Sequence, residues 1–125
     1  MKKWTAWLTL LAVLLVGLTA FAQPQIPAKP TTNIYVQDYA GILSKETKDR
    51  ILRVGAQLDS KTKAQVVAVT VKSLEGAALE EYSLSLLRQW GIGDRTLNNG
   101  VLLLIVVNDR QSRIEVGYGL EGRLP

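Results

Sequence analysis

Residues Asn98 to Leu124, NNGVLLLIVVNDRQSRIEVGYGLEGRL, decide how the chain is read. Asn98-Asn99-Gly100 is a turn signal, and Val101 to Val107 follows without a polar interruption. An apolar run of that length between turn signals suits a strand buried on both faces. The polar residues Asn108 to Arg113 break it. Ile114, Val116 and Tyr118 then alternate with Glu115 and Gly117, the pattern of a half-buried strand. Two strands joined by a short polar loop predict an antiparallel hairpin.

Moving towards the N-terminus, Leu79, Tyr82, Leu86 and Trp90 recur at spacings of three and four, and Leu84 and Leu87 widen the stripe. That spacing predicts a helix from about Leu79 to Trp90, with Gly91 as the first residue beyond its end. Gln65 to Val71, QVVAVTV, is β-branched and nearly all apolar, and predicts a second buried strand. Ser73 to Ala77 with Gly76 reads as a turn. Ser44 is placed to cap a helix whose first turn carries Glu46. Ile51, then Val54 or Gly55, then Leu58 give that helix an apolar face ending near Ser60. Ile34-Tyr35-Val36 predicts a short first strand, followed by a loop from Gln37 to Leu43. The order strand–helix–strand–helix–strand–strand defines an α/β fold: a mixed sheet with a parallel core, a C-terminal antiparallel hairpin and helices packed on the sheet.

The first 22 residues are of another kind. Lys2 and Lys3 precede the apolar stretch Leu8 to Leu18, and Ala20-Phe21-Ala22 has the A-x-A form of a cleavage site. Residues 1–22 are therefore expected to be a bacterial-type signal peptide, and the protein to be exported to the periplasm, the envelope or the medium. The apolar run from Trp4 to Ala22 also has the length of a membrane span, and a retained segment would make the protein membrane-associated. Residues 23–33, with three prolines, predict an extended linker, and 34–125 the domain. Pro125 falls where another helix is expected to begin, so the domain reads as incomplete at its C-terminus.

Lys2 and Lys3 account for two of the 15 basic residues, which leaves 13 against 11 acidic ones beyond the leader. These charges are scattered along helices and loops, not gathered in a stripe, so no nucleic-acid partner is expected. The chain has neither cysteine nor histidine. A cysteine nucleophile, a Ser-His-Asp triad and a zinc site of the usual nitrogen and sulfur ligands are excluded. A metal would have oxygen ligands only, which points to Ca²⁺ or Mg²⁺.

Five pieces of the sequence carry a family likeness. They are Val36-Gln37-Asp38-Tyr39-Ala40-Gly41-Ile42-Leu43-Ser44, the strand Gln65 to Val71 with Ser73-Leu74-Glu75-Gly76, and Trp90-Gly91-Ile92-Gly93. The others are Asn98-Asn99-Gly100-Val101-Leu102-Leu103-Leu104 and Arg113 to Gly122. In this order they resemble a TPM domain, a family of exported or membrane-associated α/β domains whose own pattern continues beyond the last piece. The resemblance implies one of several roles: a weak acid phosphatase, a divalent-metal binder, or an accessory factor of membrane complexes. Such roles include photosystem II repair in plants and receptor modulation in animals. Fold alone does not choose among them.

The residues suggest two candidate edges. Strands running the same way through Val36, Val71 and Val107 would bring the Asp38 loop, the Ser73–Gly76 turn and Asp109 to their carboxyl ends, the edge that ligands of open α/β sheets favour. Asp38 and Asp109, with Glu115 as a third carboxylate, form the candidate metal site. The opposite edge holds Asp94, Asn98, Asn99 and Glu121, among glycines that permit close backbone approach. Arg110, Arg113 and Arg123 are candidate phosphate contacts. Against these stand ordinary structural roles: Asp38 holding its own turn, Asp109 as a hairpin residue, Gly117 and Gly119 as packing glycines, Ser44 as a cap. The function expected is a divalent-cation- or protein-binding accessory or assembly factor of the cell envelope, with an envelope or membrane complex as partner. The alternatives are a metal-dependent phosphomonoesterase and a structural domain without a ligand.

Overall fold

The computed structural model describes residues 24–93 and 98–117. The expected leader, Asp94 and the segment after Gly117 lie outside them. Four strands and two helices follow in the anticipated order: β1 (Val36–Asp38), α1 (Lys45–Thr62), β2 (Gln65–Val71), α2 (Leu79–Gln89), β3 (Gly100–Val106) and β4 (Gln111–Val116). They make one sheet in the order β1-β2-β3-β4, with β1, β2 and β3 parallel and β4 antiparallel to β3.

The local signals in the sequence explain the element ends. Ser44 Oγ accepts from the Thr47 N–H at 3.1 Å, satisfying one of the free donors of the first turn of α1. Beyond α2, Gly91 has φ +60°, and its N–H reaches the Arg88 carbonyl at 3.1 Å while Ile92 N–H reaches that of Leu87 at 3.1 Å. This pair of bonds closes the last turn around a residue in the left-handed region, which glycine adopts without penalty. β4 begins three residues before the stretch of alternation. Gln111, Ser112 and Arg113 are strand residues, and the turn is confined to Val107–Arg110. Polar side chains at an open sheet margin stay in water, so hydropathy does not mark them as strand.

The two faces of the sheet differ. Val67, Val69 and Val71 of β2 and Leu102, Leu104 and Val106 of β3 point to one face, where Tyr82, Leu86, Leu87 and Trp90 of α2 cover them. Val67, Val69, Leu86, Leu102, Leu104 and Val106 are wholly buried. Each contributes about 1.5–3 kcal/mol by leaving water. Part of this cover comes from the proline-rich segment expected as a spacer: Ile26 packs against the cluster, as does Ile34 just beyond the segment, and Trp90 Nε1–H donates to the Pro27 carbonyl at 2.9 Å.

The other face carries Ala68 and Thr70 of β2 with their register partners Leu103 and Ile105 of β3. α1 packs chiefly on β1 and β2. Gly55, not Val54, is its innermost residue; the Gly55 Cα lies so close to Tyr35 that an added Cβ would meet the ring at 3.0 Å, while Val54 is 57% exposed. Over β3 and β4 no described helix covers this face. Leu103 stands opposite Ile114 and Val101 opposite Val116, so these four apolar side chains share it, and Ile114 is 62% exposed. β4 thus turns its apolar side outward and its polar side, Arg113 and Glu115, towards α2.

Candidate functional site

The parallel strands end together, and three loops meet at that end. Tyr39 N–H bonds to the Thr70 carbonyl at 3.0 Å, Val107 N–H to Val71 at 3.0 Å and Asn108 N–H to Lys72 at 2.9 Å. These bonds extend the sheet and hold the loop after β1, the Lys72–Gly76 stretch and the β3–β4 turn side by side. Here a cleft of about 400 Å³ opens, with Tyr39, Lys72, Ser73, Glu75 and Tyr82 in its wall and Gln25 to Pro27 along its rim. A second cleft, of about 490 Å³, adjoins it between Pro24, Glu75 and Glu81. Tyr39 is 42% exposed and Tyr82 is buried. Burial raises both phenols above their ordinary range, with the Glu75 charge adding to the rise at Tyr82, so both stay protonated and able to donate at neutral pH.

Asp38, the first of the expected carboxylates, is at this edge but is engaged. Its Oδ1 accepts from Ile42 N–H at 3.0 Å and from the Thr70 hydroxyl at 2.5 Å, and its Oδ2 accepts from Leu43 N–H at 3.0 Å. Burial pushes its carboxyl up, but the Thr70 hydroxyl, the Leu43 and Ile42 amides and the Lys48 charge outweigh this and hold it below the usual range. The carboxylate folds the loop to α1 back over Thr70. Asp109 lies on the exposed β3–β4 turn. The strand preceding it is two positions from β1, about 10 Å across the sheet.

Glu115 lies elsewhere. It pairs with Leu102, so it points to the α2 face, whereas Asp38 pairs with Thr70 on the other, at the opposite margin of the sheet. Its Oε2 accepts from Ser83 Oγ at 3.0 Å and from Arg113 Nε at 2.8 Å, and Arg113 also approaches Glu80 at 3.6 Å. The hydrogen bond to Glu115 raises the Arg113 guanidinium above its ordinary value, and the charges of Glu115 and Glu80 add to the rise. Asp38 and Glu115 therefore do not meet in one site. Among the described residues no three of His, Cys, Asp and Glu lie together in a way that would hold a metal ion.

At the opposite edge, Asp94 and Glu121 fall outside the described residues, as does Arg123. Asn98 has φ +48°, and Asn99 is buried. The glycines there meet one another: a Cβ on Gly93 would lie 2.4 Å from Gly100 N, and one on Gly117 would lie 2.2 Å from Asn98 O. Gly93 N–H donates to Gln65 Oε1 at 2.9 Å. Close backbone approach at this edge is between strands and loops of the chain itself.

Tyr39, Lys72, Glu75 and Tyr82 were not singled out from the sequence. Lys72 had a signal, as the first polar residue after the apolar run of β2 and hence at the carboxyl edge. Tyr82 had none, since its spacing marks only the core side of a helix.

The model of the TPM domain matches residues 36–125. Chloroplastic UPF0603 proteins of Oryza sativa subsp. indica and subsp. japonica are 29% identical over 89 residues, covering 70% of this chain and 30% of theirs. The chain thus spans about a third of the length of these relatives. A solution structure of the N-terminal domain of a P. gingivalis protein is 39% identical, with a TM-score of 0.67 over 75% of this chain and 60% of that one. The N-terminal domain of a Corynebacterium glutamicum protein, 18% identical over 78% of this chain and 63% of its own, shares the fold with a TM-score of 0.59.

Proposed function

Because this chain belongs to the TPM domain family, we propose that it is an exported accessory module which binds a segment of a partner protein of the cell envelope at the carboxyl edge of its parallel strands. The observation that carries this reading is the cleft between Tyr39, Lys72, Glu75 and Tyr82. Two phenols, one cation and one carboxylate, with Ile26 and Val71 between them, suit a polypeptide, whose backbone and side chains offer donors, acceptors and apolar surface together.

A photo-reactive residue at Tyr39 tests this in the exported protein, with one at Arg53 on the exposed side of α1 as control. The expected result is an adduct with a single envelope protein, identified by mass spectrometry, that forms at Tyr39 only and disappears with Lys72→Glu. Equal labelling from both positions would refute the reading.

The cation and phosphatase reading draws on Asp109, an exposed carboxylate on the β3–β4 turn at the same edge of the sheet. It predicts weak Ca²⁺ or Mg²⁺ binding, on the order of 10⁻⁴–10⁻³ M, as expected for few carboxylates plus water. Calorimetric titration of wild type and Asp109→Asn decides it, together with phosphate-ester hydrolysis with and without EDTA. Equal binding by both proteins removes Asp109 as a ligand, and hydrolysis that survives full chelation removes the metal from the reaction.

A further inference from the structure

The open apolar face and the unpaired margin of β4 belong to one surface. Val101, Leu103, Ile114 and Val116 share the face that α1 leaves uncovered, and Ile105 continues it. Among the described residues nothing pairs with the outer margin of β4. The opposite margin of the sheet is β1, of three residues only, whereas β4 has six and contains neither lysine nor proline. Short length, proline and charged side chains, lysine above all, are the usual protections of an edge; the two charges of β4, Arg113 and Glu115, are opposite in sign and bonded to each other.

The phase of β4 is known. Gly117 N–H donates to the Gly100 carbonyl at 2.8 Å. In an antiparallel pair, bonded and non-bonded positions alternate. Gly117, Glu115, Arg113 and Gln111 therefore direct their backbone groups to β3, and Ser112, Ile114 and Val116 direct theirs outward.

We propose that β4 pairs with β4 of a second copy of this chain, antiparallel, about a two-fold axis through Ile114. This register sets the outward-directed Ile114 opposite its own copy and Ser112 opposite Val116, so donors meet acceptors at every pair. It also sets Arg113 opposite Glu115 in both directions, on the α2 face. Neighbouring registers lack this match. An axis through Arg113 or Glu115 keeps the bond phase but sets that charge opposite its own copy; one through Ser112 puts Arg113 opposite Gln111, and one through Val116 puts Glu115 opposite Gly117. A shift by a single residue opposes an outward position to an inward one and breaks the ladder. The Ile114 pair joins the two open faces into one apolar surface, and the two four-stranded sheets become continuous. Self-complementarity of charge and bond phase about one residue is what an isologous contact requires.

Sedimentation of the whole exported protein over a range of concentrations tests the association, and cysteine placement tests the register, because the chain has no cysteine of its own. Opposed residues of a bonded pair have Cα atoms about 5.5 Å apart, within disulfide reach. The expected results are a concentration-dependent dimer and oxidation of Ile114→Cys to a covalent dimer at least about tenfold faster than Ser112→Cys, since opposition makes the step effectively intramolecular. Ser112→Cys with Val116→Cys in one chain should cross-link as readily as Ile114→Cys. Ile114→Lys, which sets like charges opposite each other, should abolish the dimer while leaving the unfolding of the single chain unchanged. A wild type that is monomeric throughout overturns the proposal, whatever covers the face instead. So do equal cross-linking rates for Ile114→Cys and Ser112→Cys.

Discussion

β2 and β4 are both strands of one sheet, joined through β3, yet they sit in opposite conditions. Every residue of β2 from Val67 to Val71 is buried. It has a strand on each side, α2 with the docked Ile26 below, and the Asp38 loop and α1 above. Among the described residues β4 has one neighbouring strand and one helix against it, and Ile114 is 62% exposed. Each is tied to its surroundings by a carboxylate, but the two ties differ. Asp38 gathers two backbone amides and a hydroxyl over β2, and Glu115 gathers an arginine and a serine under β4. The comparison teaches that the stability of this domain is concentrated on β2 and α2, while β4 is held from one side.

The largest test of that contrast is Trp90→Ala. Removing a buried aromatic next to β2 should cost about 3–5 kcal/mol in denaturant unfolding. Trp90→Phe should lose about 1 kcal/mol, the bond to the Pro27 carbonyl, and should expose the Pro24–Pro27 strap to proteolysis. Equal sensitivity to protease in wild type and Trp90→Phe would show that the strap is held by Ile26 alone.

Asp38→Ala comes next, at about 2–3 kcal/mol, because it leaves the Ile42 and Leu43 amides and the Thr70 hydroxyl without their charged acceptor. The same group sets a pH dependence. Its folded value lies below its ordinary 3.8, so the unfolded chain binds a proton more readily than the folded one. The contribution is complete above that ordinary value and is lost as pH falls towards the lower, folded one. Asp38→Asn should therefore flatten the acid limb of the stability profile below about pH 4. An unchanged acid limb would mean that another carboxylate controls it.

On the β4 side the effects should be smaller. Glu115→Gln removes a charge from a partly exposed pair and leaves Arg113 with Glu80, so about 1 kcal/mol is expected at low salt and less at high salt. Ile114→Ser, measured on the single chain, should change stability by no more than about 0.5 kcal/mol, as for an exposed position. A large loss at Ile114 under dilute conditions would show that its side chain is covered after all, and would bring β4 closer to β2.

Elements defined by near neighbours were legible. Gln65 to Val71 reads as a buried strand because Val66 to Val69 and Val71 leave neither side of it polar, and burial on two faces requires that. Ser44 and Gly91 read as helix ends because capping involves residues only a few positions away. The candidate site was legible in part. The topology puts Asp38 and Asp109 at one edge, but sequence says nothing of competing hydrogen bonds, so the engagement of Asp38 by Thr70, 32 positions away, could not be read. Tyr82 at the cleft was likewise indistinguishable from a core residue.

The order of strands and helices, the hairpin and the helix ends were determined by the sequence itself, since period, turn residues and caps act over one or two turns of chain; the strand ends were not, since β1 is Val36–Asp38 instead of Ile34–Val36 and β4 starts at Gln111. Only the tertiary structure decided which side of each element faced in. The alternation of Ile114 and Val116 with Glu115 suggested an inward apolar side. The register with β3 instead set Glu115 beside Leu102, under α2, and Ile114 beside Leu103, on the open face. Alternation specifies that a strand has two unlike sides. The choice between them belongs to the partner strand and the helix, because a change of register by one residue exchanges the sides without altering a single local preference.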